Sequence, residues 1–501
     1  MTQEFPPKSA TARVSISERA AAVVNPRLFG SFVEHVGRGV YGGIYDPGHV
    51  SSDENGFRQD VIALVRELGV TTVRYPGGNF VSGYDWRDGI GPRRDRPRRL
   101  DLAWKSIETN EFGTDEFMLW CRQARVEPML ALNLGLGTIR SALELLEYTN
   151  YTSGTELSDL RIRNGHTEPH NVRLWCLGNE LDGPWQLGAK TSVEYARLAA
   201  TTASAMRMFS DDLELVAVGS SNAEMPTFGK WERDVLAETV ALVDYLSCHI
   251  YFYDAGDTAD FLASSDRLDA FLTTIGGIIS DAKRSNPHAR DVKISLDEWN
   301  VWNYHAYDEL KPSRAFEVAP RILEDDYTLL DAVVVGSLLQ VILAHADTVA
   351  IAAIAQLVNV IGPIRAEHTG QAWRQTTFYP FAAVARTAGW SVLPSSASTP
   401  DIIPTITRSP DQLSYSVFLT NRSECDTHVI TVPLPNITRI RVAEAWVLHD
   451  SDTHASNTQS NSTRVVPRSL RIVTTDDGLR LELPPISWAY VTVRETRGGT
   501  T

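Results

Sequence analysis

Short apolar runs alternate with segments of helical periodicity along the first 390 residues. The runs are rich in β-branched and other bulky residues, as strands covered on both faces are. They lie at 28–34, 71–75, 127–134, 172–177, 213–219, 245–252, 292–298 and 348–356. Apolar residues at helical spacing predict helices at 57–68, 114–125, 139–148, 192–209, 261–284, 327–345 and 378–388. The alternation predicts an α/β fold, a (β/α)8 TIM barrel over residues 25–390.

The pattern changes after residue 390 to an alternation of apolar and polar positions. Runs of period 2 lie at 413–419, 428–432, 442–448, 479–483 and 488–493, with turn residues between them. They predict a C-terminal all-β sandwich, jelly-roll-like, over residues 391–501. An alternating run at 12–17 suggests that the segment 1–24 adds a strand to this sandwich. The Ser-, Thr- and Asn-rich stretch 451–463 predicts a loose loop.

Seven of the eight predicted barrel strands end in residues that can bind or react. These are Glu34, Arg74, Asn133, Glu180, His249 with Tyr251, Glu298 and Gln356. In a barrel all of them gather on one rim, whereas an open doubly wound sheet spreads them along a crevice.

Two glutamates follow strands in the same way. Glu180 comes after Asn179 at the end of one apolar run, and Glu298 comes after Asp297 at the end of another. Paired carboxylates flanked by Trp and Tyr are typical of sites that cleave glycosidic bonds. The apolar flank of Glu180 makes its carboxyl group harder to ionise, which suits a proton donor. The alternative is a helix start capped by Asn179.

Other strand-end residues have two interpretations each. Asn79 can hydrogen-bond a sugar hydroxyl while Arg74 orients a carboxylate, or the segment 74–79 is a structural turn with a buried ion pair. His249 and Tyr251 point the same way from one strand, so the Tyr251 hydroxyl can hold a nucleophile ionised. Alternatively, both are core polar groups. A metal site of His249, Asp297 and His305 is a rival hypothesis, but no HxH or HExxH spacing supports it.

Aromatic residues accompany these strand ends. Trp86, Trp104, Trp185, Trp299 and Trp302 are predicted in loops after strands, where exposed rings stack on sugars or pack on the barrel rim. The amide of Gln356 either binds the ligand or caps a helix.

Composition narrows the function classes. The chain has 501 residues, 43% apolar and 22% charged, and a net charge of −15, which argues against nucleic acid as a partner. We expect no membrane association, because the longest apolar run, 349–355, is too short to cross a bilayer. The N-terminus lacks an apolar signal region, and four scattered cysteines suggest free thiols. These features predict a cytoplasmic protein.

Several longer motifs resemble one family. They are F-G-S-F-V-E-H at 29–35, R-Y-P-G-G-N-F-V-S-G-Y-D-W at 74–86, L-A-W-K-S-I-E-T-N-E-F-G at 102–113, W-C-L-G-N-E-L-D-G-P-W-Q at 175–186, C-H-I-Y-F at 248–252, D-E-W-N-V-W at 297–302 and Q-L-V-N-V-I-G-P-I at 356–364. With them the chain resembles the α-L-arabinofuranosidases of glycoside hydrolase family 51. The segment 147–170 and the loop after Trp302 depart from the family pattern.

The resemblance implies a role for each matching residue. Glu180 is implied as the acid/base and Glu298 as the nucleophile. The residues implied to bind the arabinofuranosyl hydroxyls are Glu34, Asn79, Asn179, Tyr251 and Gln356. Trp104 is implied as a wall of the pocket, and Arg74 and His249 as supports of the two carboxylates.

The resemblance also implies a retaining exo-hydrolase. It implies activity on arabinoxylan, arabinan and their oligosaccharides, with no cofactor, no metal and a homo-oligomer, often a hexamer. A β-xylosidase or endoglucanase on the same scaffold and a non-catalytic sugar-binding protein are the alternatives.

Overall fold

The computed structural model describes residues 9–304, 307, 315–435, 440–476 and 478–495. The strands are β1 (Ser9–Ile16), β2 (Ala22–Val23), β3 (Gly30–Phe32), β4 (Thr72–Tyr75), β5 (Arg99–Asp101), β6 (Ser106–Glu108), β7 (Glu127–Ala131), β8 (Leu174–Cys176), β9 (Glu214–Ala217), β10 (Tyr245–Phe252), β11 (Lys293–Val301), β12 (Val349–Ile354), β13 (Ile364–Arg365), β14 (Trp373–Arg374), β15 (Ser391–Leu393), β16 (Ser395–Ala397), β17 (Ile402–Arg408), β18 (Ser414–Asn421), β19 (Thr427–Pro433), β20 (Ile440–Leu448), β21 (Arg468–Ser469), β22 (Ile472–Thr475), β23 (Gly478–Leu483) and β24 (Ser487–Glu495).

Helices connect the strands of the first part of the chain. They are α1 (Gln59–Leu68), α2 (Thr114–Ala124), α3 (Ile139–Asn150), α4 (Glu156–Arg163), α5 (Ser192–Phe209), α6 (Lys230–Thr239), α7 (Thr258–Leu262), α8 (Ser264–Ser285), α9 (Leu329–Ala344) and α10 (Phe378–Ala385). None of the helices in the described part of the chain combines the length and the apolar character needed to cross a bilayer.

Eight strands form a closed parallel barrel, in the order β10-β11-β12-β3-β4-β7-β8-β9. The predicted TIM barrel is therefore confirmed, with each strand at a predicted apolar run. A separate apolar cluster that includes Met129, Leu174, Val216 and Ile351 fills the barrel interior. Because this plug closes the interior, chemistry belongs at the carboxyl ends of the strands.

The C-terminal part consists of two sheets, which agrees with the predicted sandwich. One has the order β16-β1-β19-β23-β22 and the other β2-β15-β17-β18-β24-β20-β21. Strand β1 runs parallel to β19 and antiparallel to β16, so the N-terminal segment contributes to the first sheet. The domain boundaries at residues 24 and 390 stay predictions.

Helix α9 lies between the barrel and the sandwich. It is apolar on every side, as a helix buried against two layers must be. Its one long polar side chain, Gln340, donates to the carbonyls of Ile403 and Phe418 and accepts a hydrogen bond from Thr420. Gly336 lets the helix approach the sandwich, since a Cβ there would lie 2.3 Å from the Trp488 ring.

The stretch 451–463 is not the loose loop that its composition predicts. Asn457 is fully buried and donates to the carbonyls of Arg374 and Val465. Ser456 forms a bridge with Thr328 at the start of α9. The prediction was wrong because Asn457 hydrogen-bonds two backbone carbonyls, one of them in the first part of the chain, and so holds the stretch in place.

Candidate active site

Glu298 lies on β11 at an irregularity of the barrel. Between the pairs Ser247–Ser295 and His249–Glu298, β11 has one residue more than β10, and its pairing with β12 shifts at the same place. Such a bulge re-aims side chains, and here the consecutive residues Asp297 and Glu298 both reach the same guanidinium group. Strict alternation would send them to opposite faces.

The carboxylate of Glu298 is buried and accepts two short hydrogen bonds. Arg74 Nη1 lies 2.8 Å from its Oε1 atom, and the Tyr251 hydroxyl lies 2.7 Å from its Oε2 atom. Burial raises the pKa of Glu298, and the nearby Glu180 acts in the same direction. The charge of His249 opposes this shift most, and the Arg74 and Tyr251 contacts add to it because they stabilise the ionised form.

Glu180 follows β8 at a sharp turn. Gly178 has φ 111° and Glu180 itself has φ 43°, a left-handed conformation that is costly for a residue with a side chain. This turn directs the carboxyl group toward β10, where its Oε1 atom lies 2.9 Å from His249 Nδ1. Its Oε2 atom accepts a 2.7 Å hydrogen bond from the Trp185 indole. The carboxylates of Glu180 and Glu298 have oxygens within 4.8 Å of each other.

His249 lies between acidic groups on both sides. Its Nε2 atom is 3.0 Å from Asp297 Oδ1, and its Nδ1 atom faces both Glu180 and Glu298. Burial disfavours the imidazolium, but the charge of Glu298 and the hydrogen bonds to Asp297 and Glu180 outweigh it and raise the pKa of His249 well above its usual value. This shift favours the protonated ring, whose two nitrogens face the carboxylates of Glu180 and Asp297.

Arg74, at the end of β4, is the second buried cation. Its Nη2 atom donates to Asn179 Oδ1 at 2.5 Å, and its Nε atom lies 3.7 Å from Asp297. It therefore orients Glu298 and belongs to a buried ion pair, so the two predicted interpretations hold together. Arg74 and His249 together contact three carboxylates, those of Glu180, Asp297 and Glu298.

Glu34 and Gln356 form the other side of the site. Glu34 accepts hydrogen bonds from the Phe80 N–H and the Trp104 indole, both at 2.8 Å, and from Gln356 at 3.1 Å. Burial raises the pKa of Glu34 to about 8. The turn after β4 allows this approach, since a Cβ on Gly78 would lie 2.5 Å from Glu34 Oε2.

Several buried polar atoms near these glutamates have no hydrogen-bond partner among the described residues. They include Asn179 Nδ2, Gln356 Oε1 and Trp302 Nε1. Unsatisfied buried donors and acceptors are rare and costly, so they indicate a polar ligand such as a sugar. Asn79, half-buried, begins the 3-10 helix Asn79–Gly83 directly after Gly78.

The predictions for this rim had mixed outcomes. Trp299 is part of β11 and fully buried, so its prediction in a loop was wrong. Trp86 and Trp104 are buried, as the alternative of packing on the rim predicts, and Trp185 is 44% exposed. Asn133 accepts from three backbone N–H groups of residues 135–137, and it shapes a turn instead of facing the site.

Two residues make contacts that the sequence analysis did not assign to them. Asp297 supports His249, and Trp185 hydrogen-bonds Glu180. Both lie within the matching motifs, but only the bulge and the turn bring them into these contacts.

The predicted rival metal site is not supported by the contacts of its members. His305 lies outside the described residues. His249 engages both ring nitrogens with carboxylates, and the carboxylate oxygens of Glu180 and Glu298 accept from N–H and O–H donors. A cation would also lie beside the Arg74 guanidinium, which disfavours it.

Comparisons with known proteins agree with this geometry. The family "Alpha-L-arabinofuranosidase 1 domain" matches residues 64–270, and "Alpha-L-arabinofuranosidase C-terminal domain" matches residues 297–487. An intracellular exo-α-(1→5)-L-arabinofuranosidase of Streptomyces lividans is 47% identical over 494 residues, which cover 95% of this chain and 74% of that protein. An exo-α-(1→6)-L-arabinofuranosidase of Bifidobacterium longum is also 47% identical, over 94% of this chain and 95% of that protein.

A solved structure is similar over nearly the whole chain. A family 51 α-L-arabinofuranosidase from Bifidobacterium longum superposes with a TM-score of 0.94 at 42% identity, over 97% of this chain and 100% of that one. A closed parallel barrel with two facing glutamates at its carboxyl end defines a barrel glycoside hydrolase. The chain belongs to the α-L-arabinofuranosidases of glycoside hydrolase family 51, which confirms the resemblance drawn from its motifs. It is an enzyme that hydrolyses O-glycosidic bonds of non-reducing-end arabinofuranosyl residues.

Proposed function

We propose that this arabinofuranosidase works by double displacement with retention of configuration. The observation that carries the proposal is the approach of the Glu180 and Glu298 carboxylate oxygens to within 4.8 Å. Retaining enzymes hold their carboxyl groups about 5–5.5 Å apart, whereas inverting enzymes need about 6.5–9.5 Å to admit a water molecule.

Glu298 acts as the nucleophile and Glu180 as the acid/base. In the first step a Glu298 oxygen bonds to the anomeric carbon, the glycosidic C–O bond breaks, and Glu180 gives its proton to the departing oxygen. In the second step Glu180 takes a proton from water, the water oxygen bonds to the anomeric carbon, and the bond to Glu298 breaks. Arabinose leaves with its original configuration.

The neighbours of the two glutamates match these tasks. Arg74 and Tyr251 donate to Glu298 and so favour the ionised form that a nucleophile requires. The imidazolium of His249 donates to Glu180 and holds its carboxyl group toward the anomeric carbon. When Glu180 has lost its proton, this cation stabilises the carboxylate that must then activate water.

The sugar hydroxyls bind to the opposite wall. We assign them to Glu34, Asn79, Asn179, Tyr251 and Gln356, with Trp104 closing the pocket. The unpartnered Asn179 Nδ2 and Gln356 Oε1 atoms support this assignment, because a sugar hydroxyl both donates and accepts. Glu34, with a pKa near 8, carries a proton at neutral pH and can itself donate to a hydroxyl.

The substrates are terminal arabinofuranosyl residues of arabinoxylan, arabinan and their oligosaccharides. Relatives named for (1→5) and (1→6) linkages share the same 47% identity with this chain, so overall identity favours neither linkage. The exposed Trp185, which hydrogen-bonds Glu180, lies where a leaving group would depart. We propose that this side of the site sets linkage preference.

We also propose that the enzyme works in the cytoplasm as a homo-oligomer without a cofactor. The relative from Streptomyces lividans is named intracellular. The hexamer rests on the family resemblance alone, and light scattering of the purified enzyme would test it.

Azide rescue of two variants tests the mechanism. Glu298→Ala should lose turnover of nitrophenyl arabinofuranoside, and azide should restore product as the inverted arabinofuranosyl azide. Glu180→Ala should instead give the azide with retained configuration, since Glu298 still forms the covalent intermediate. Comparison of the hydrolysis rates of nitrophenyl arabinofuranoside and nitrophenyl xyloside by the wild-type enzyme tests the substrate class. Near wild-type rates in Glu298→Ala, or release of inverted arabinose by the wild type, would contradict the mechanism.

A further inference from the structure

A second cluster of metal-ligating side chains lies outside the active site, on the outer wall of the barrel. Asp115 comes from the first turn of α2, and His166 and His170 come from the segment between α4 and β8. One ligand atom of each lies within 4.8 Å of the other two. The two histidines lie within the region 147–170, outside the motifs that carry the family resemblance.

The three side chains are largely buried and already face one another. His170 Nε2 is 3.0 Å from Asp115 Oδ1, and His166 Nε2 is 3.8 Å from Asp115 Oδ2. The Asp115 side chain is 5% exposed and that of His170 is 2% exposed, whereas His166 is 14% exposed. The cluster therefore opens toward solvent at His166. A ligand would enter past His166.

Neighbouring residues fix the cluster. The Tyr148 hydroxyl donates to Asp115 Oδ2 at 2.7 Å and accepts from Asn164. The buried Arg161 donates to the carbonyls of Tyr148 and His166, and to others of the same segment. A hydrogen-bonded carboxylate and a clamped backbone are the outer support that metal ligands have in proteins.

Spacing and geometry favour a metal ion over a plain ion pair. His166 and His170 have the H-x3-H spacing of zinc sites. Ligands at about 2.0–2.1 Å from a tetrahedral zinc lie roughly 3.4 Å from one another, between the two distances that Asp115 now makes to the histidines. Closure around an ion therefore needs only small rotations of two imidazoles.

Asp115 supplies the anionic ligand of the cluster. Glu116 is a second nearby acid, and the positive charges of Arg122 and Arg161 offset these two carboxylates. We propose that Asp115, His166 and His170 bind a divalent transition-metal cation of the zinc type, with water in the fourth position. The ion would tie the segment after α4 to α2 and so stabilise the barrel wall.

Metal titration of the full-length enzyme tests the site. After chelator treatment and dialysis, one equivalent of Zn²⁺ should bind by calorimetry and raise the thermal midpoint, and Co²⁺ should give a visible tetrahedral spectrum. His166→Ala and His170→Ala should lose both effects, and Tyr148→Phe should weaken binding about tenfold. His288→Ala, an exposed histidine on a distant loop, is the matched control and should bind as the wild type does.

Two results would overturn the proposal. The first is a wild-type enzyme that binds no Zn²⁺ at micromolar concentration. The second is an equivalent of Zn²⁺ that persists in both histidine variants and inhibits hydrolysis, which would place the ion at Glu180 and Glu298. His166 is at the edge of the cluster, so its truncation should leave the apo enzyme folded and active, and the comparison stays interpretable.

Discussion

The Nδ1 atom of His249 lies 2.9 Å from Oε1 of Glu180. The same atom is 3.5 Å from Oε2 of Glu298, so one imidazole nitrogen faces both carboxylates. Any change in the charge of this ring acts at once on the proposed acid/base, Glu180, and on the proposed nucleophile, Glu298.

Removal of the His249 ring should therefore impair both chemical steps. We expect His249→Ala to lower kcat by about 10²–10³-fold, the cost of losing one buried donor at a reacting charge. Measurement of kcat with nitrophenyl and alkyl arabinofuranosides would check it, and both substrates should slow. A wild-type kcat in this variant would contradict the role, and His288→Ala serves as the unaffected control.

Asp297 should position His249 through the other ring nitrogen. Asp297 is one of the carboxylates that raise the pKa of His249, so Asp297→Asn should let the ring lose its proton at lower pH. We expect the alkaline limb of the kcat–pH profile to move to lower pH. We also expect kcat to fall about tenfold, because the variant loses part of the rate enhancement that acid–base catalysis contributes. Cys176→Ser, which changes a neighbour of Asp297 but leaves the carboxylate in place, should keep the wild-type profile. An unshifted profile in Asp297→Asn would contradict the assignment.

The periodicity of the chain was sufficient to predict the barrel and most of the residues that meet at its rim. Each predicted run became one strand, and residues at strand ends of a closed parallel barrel can only converge. The same rule could not find Asp297. Strict alternation turns it away from the face of Glu298, and only an extra residue in β11, set by pairing on both sides, brings it inward.

The burial of individual side chains at the barrel rim was harder to predict than their positions at the strand ends. Trp299 and Trp185 both follow one of the two paired glutamates, yet one is fully buried and the other is 44% exposed. The difference is that Trp299 continues β11, where it pairs with Ile250, whereas Trp185 lies in the loop after β8. The order of the stretch around Asn457 was hidden for a similar reason, because one of its two backbone partners, Arg374, lies 83 residues away in the sequence.

Glu34 should give the enzyme a pH dependence above neutrality. Burial raises the pKa of Glu34 to about 8, so the folded enzyme keeps a proton there that the unfolded chain releases near pH 4.5. The contribution of this retained proton to the free energy of unfolding is fully present below pH 4.5 and is lost as the pH rises through 8. Ionisation also adds a negative charge beside Glu298, so we expect kcat/KM to fall as the pH passes 8.

Two variants separate this titration from others. Glu34→Gln cannot ionise, and its lower kcat/KM should not decline around pH 8. Trp104→Phe removes an indole donor that favours the ionised carboxylate, so its decline should move to higher pH. A Glu34→Gln profile that still falls at pH 8 would assign the limb to another group.

The close contact of α9 with the sandwich should make the stability of the enzyme sensitive to an added methyl group at Gly336. A Cβ at Gly336 would lie 2.3 Å from the Trp488 ring, which is itself fully buried against Phe418 and Trp446. Gly336→Ala gains about 1 kcal/mol of helix propensity, but displacement of this packed ring costs about 1–3 kcal/mol or more, and we expect a net loss.

Gly277, in α8, is the matched control for that substitution. A Cβ at Gly277 meets no atom within 4 Å, so Gly277→Ala should stabilise the enzyme by about 0.5–1 kcal/mol. Denaturant or thermal midpoints of both variants, measured under one protocol, should therefore move in opposite directions. A rise in both midpoints would mean that the interface between the barrel and the sandwich is loose enough to admit a methyl group, in disagreement with the packing of Trp488.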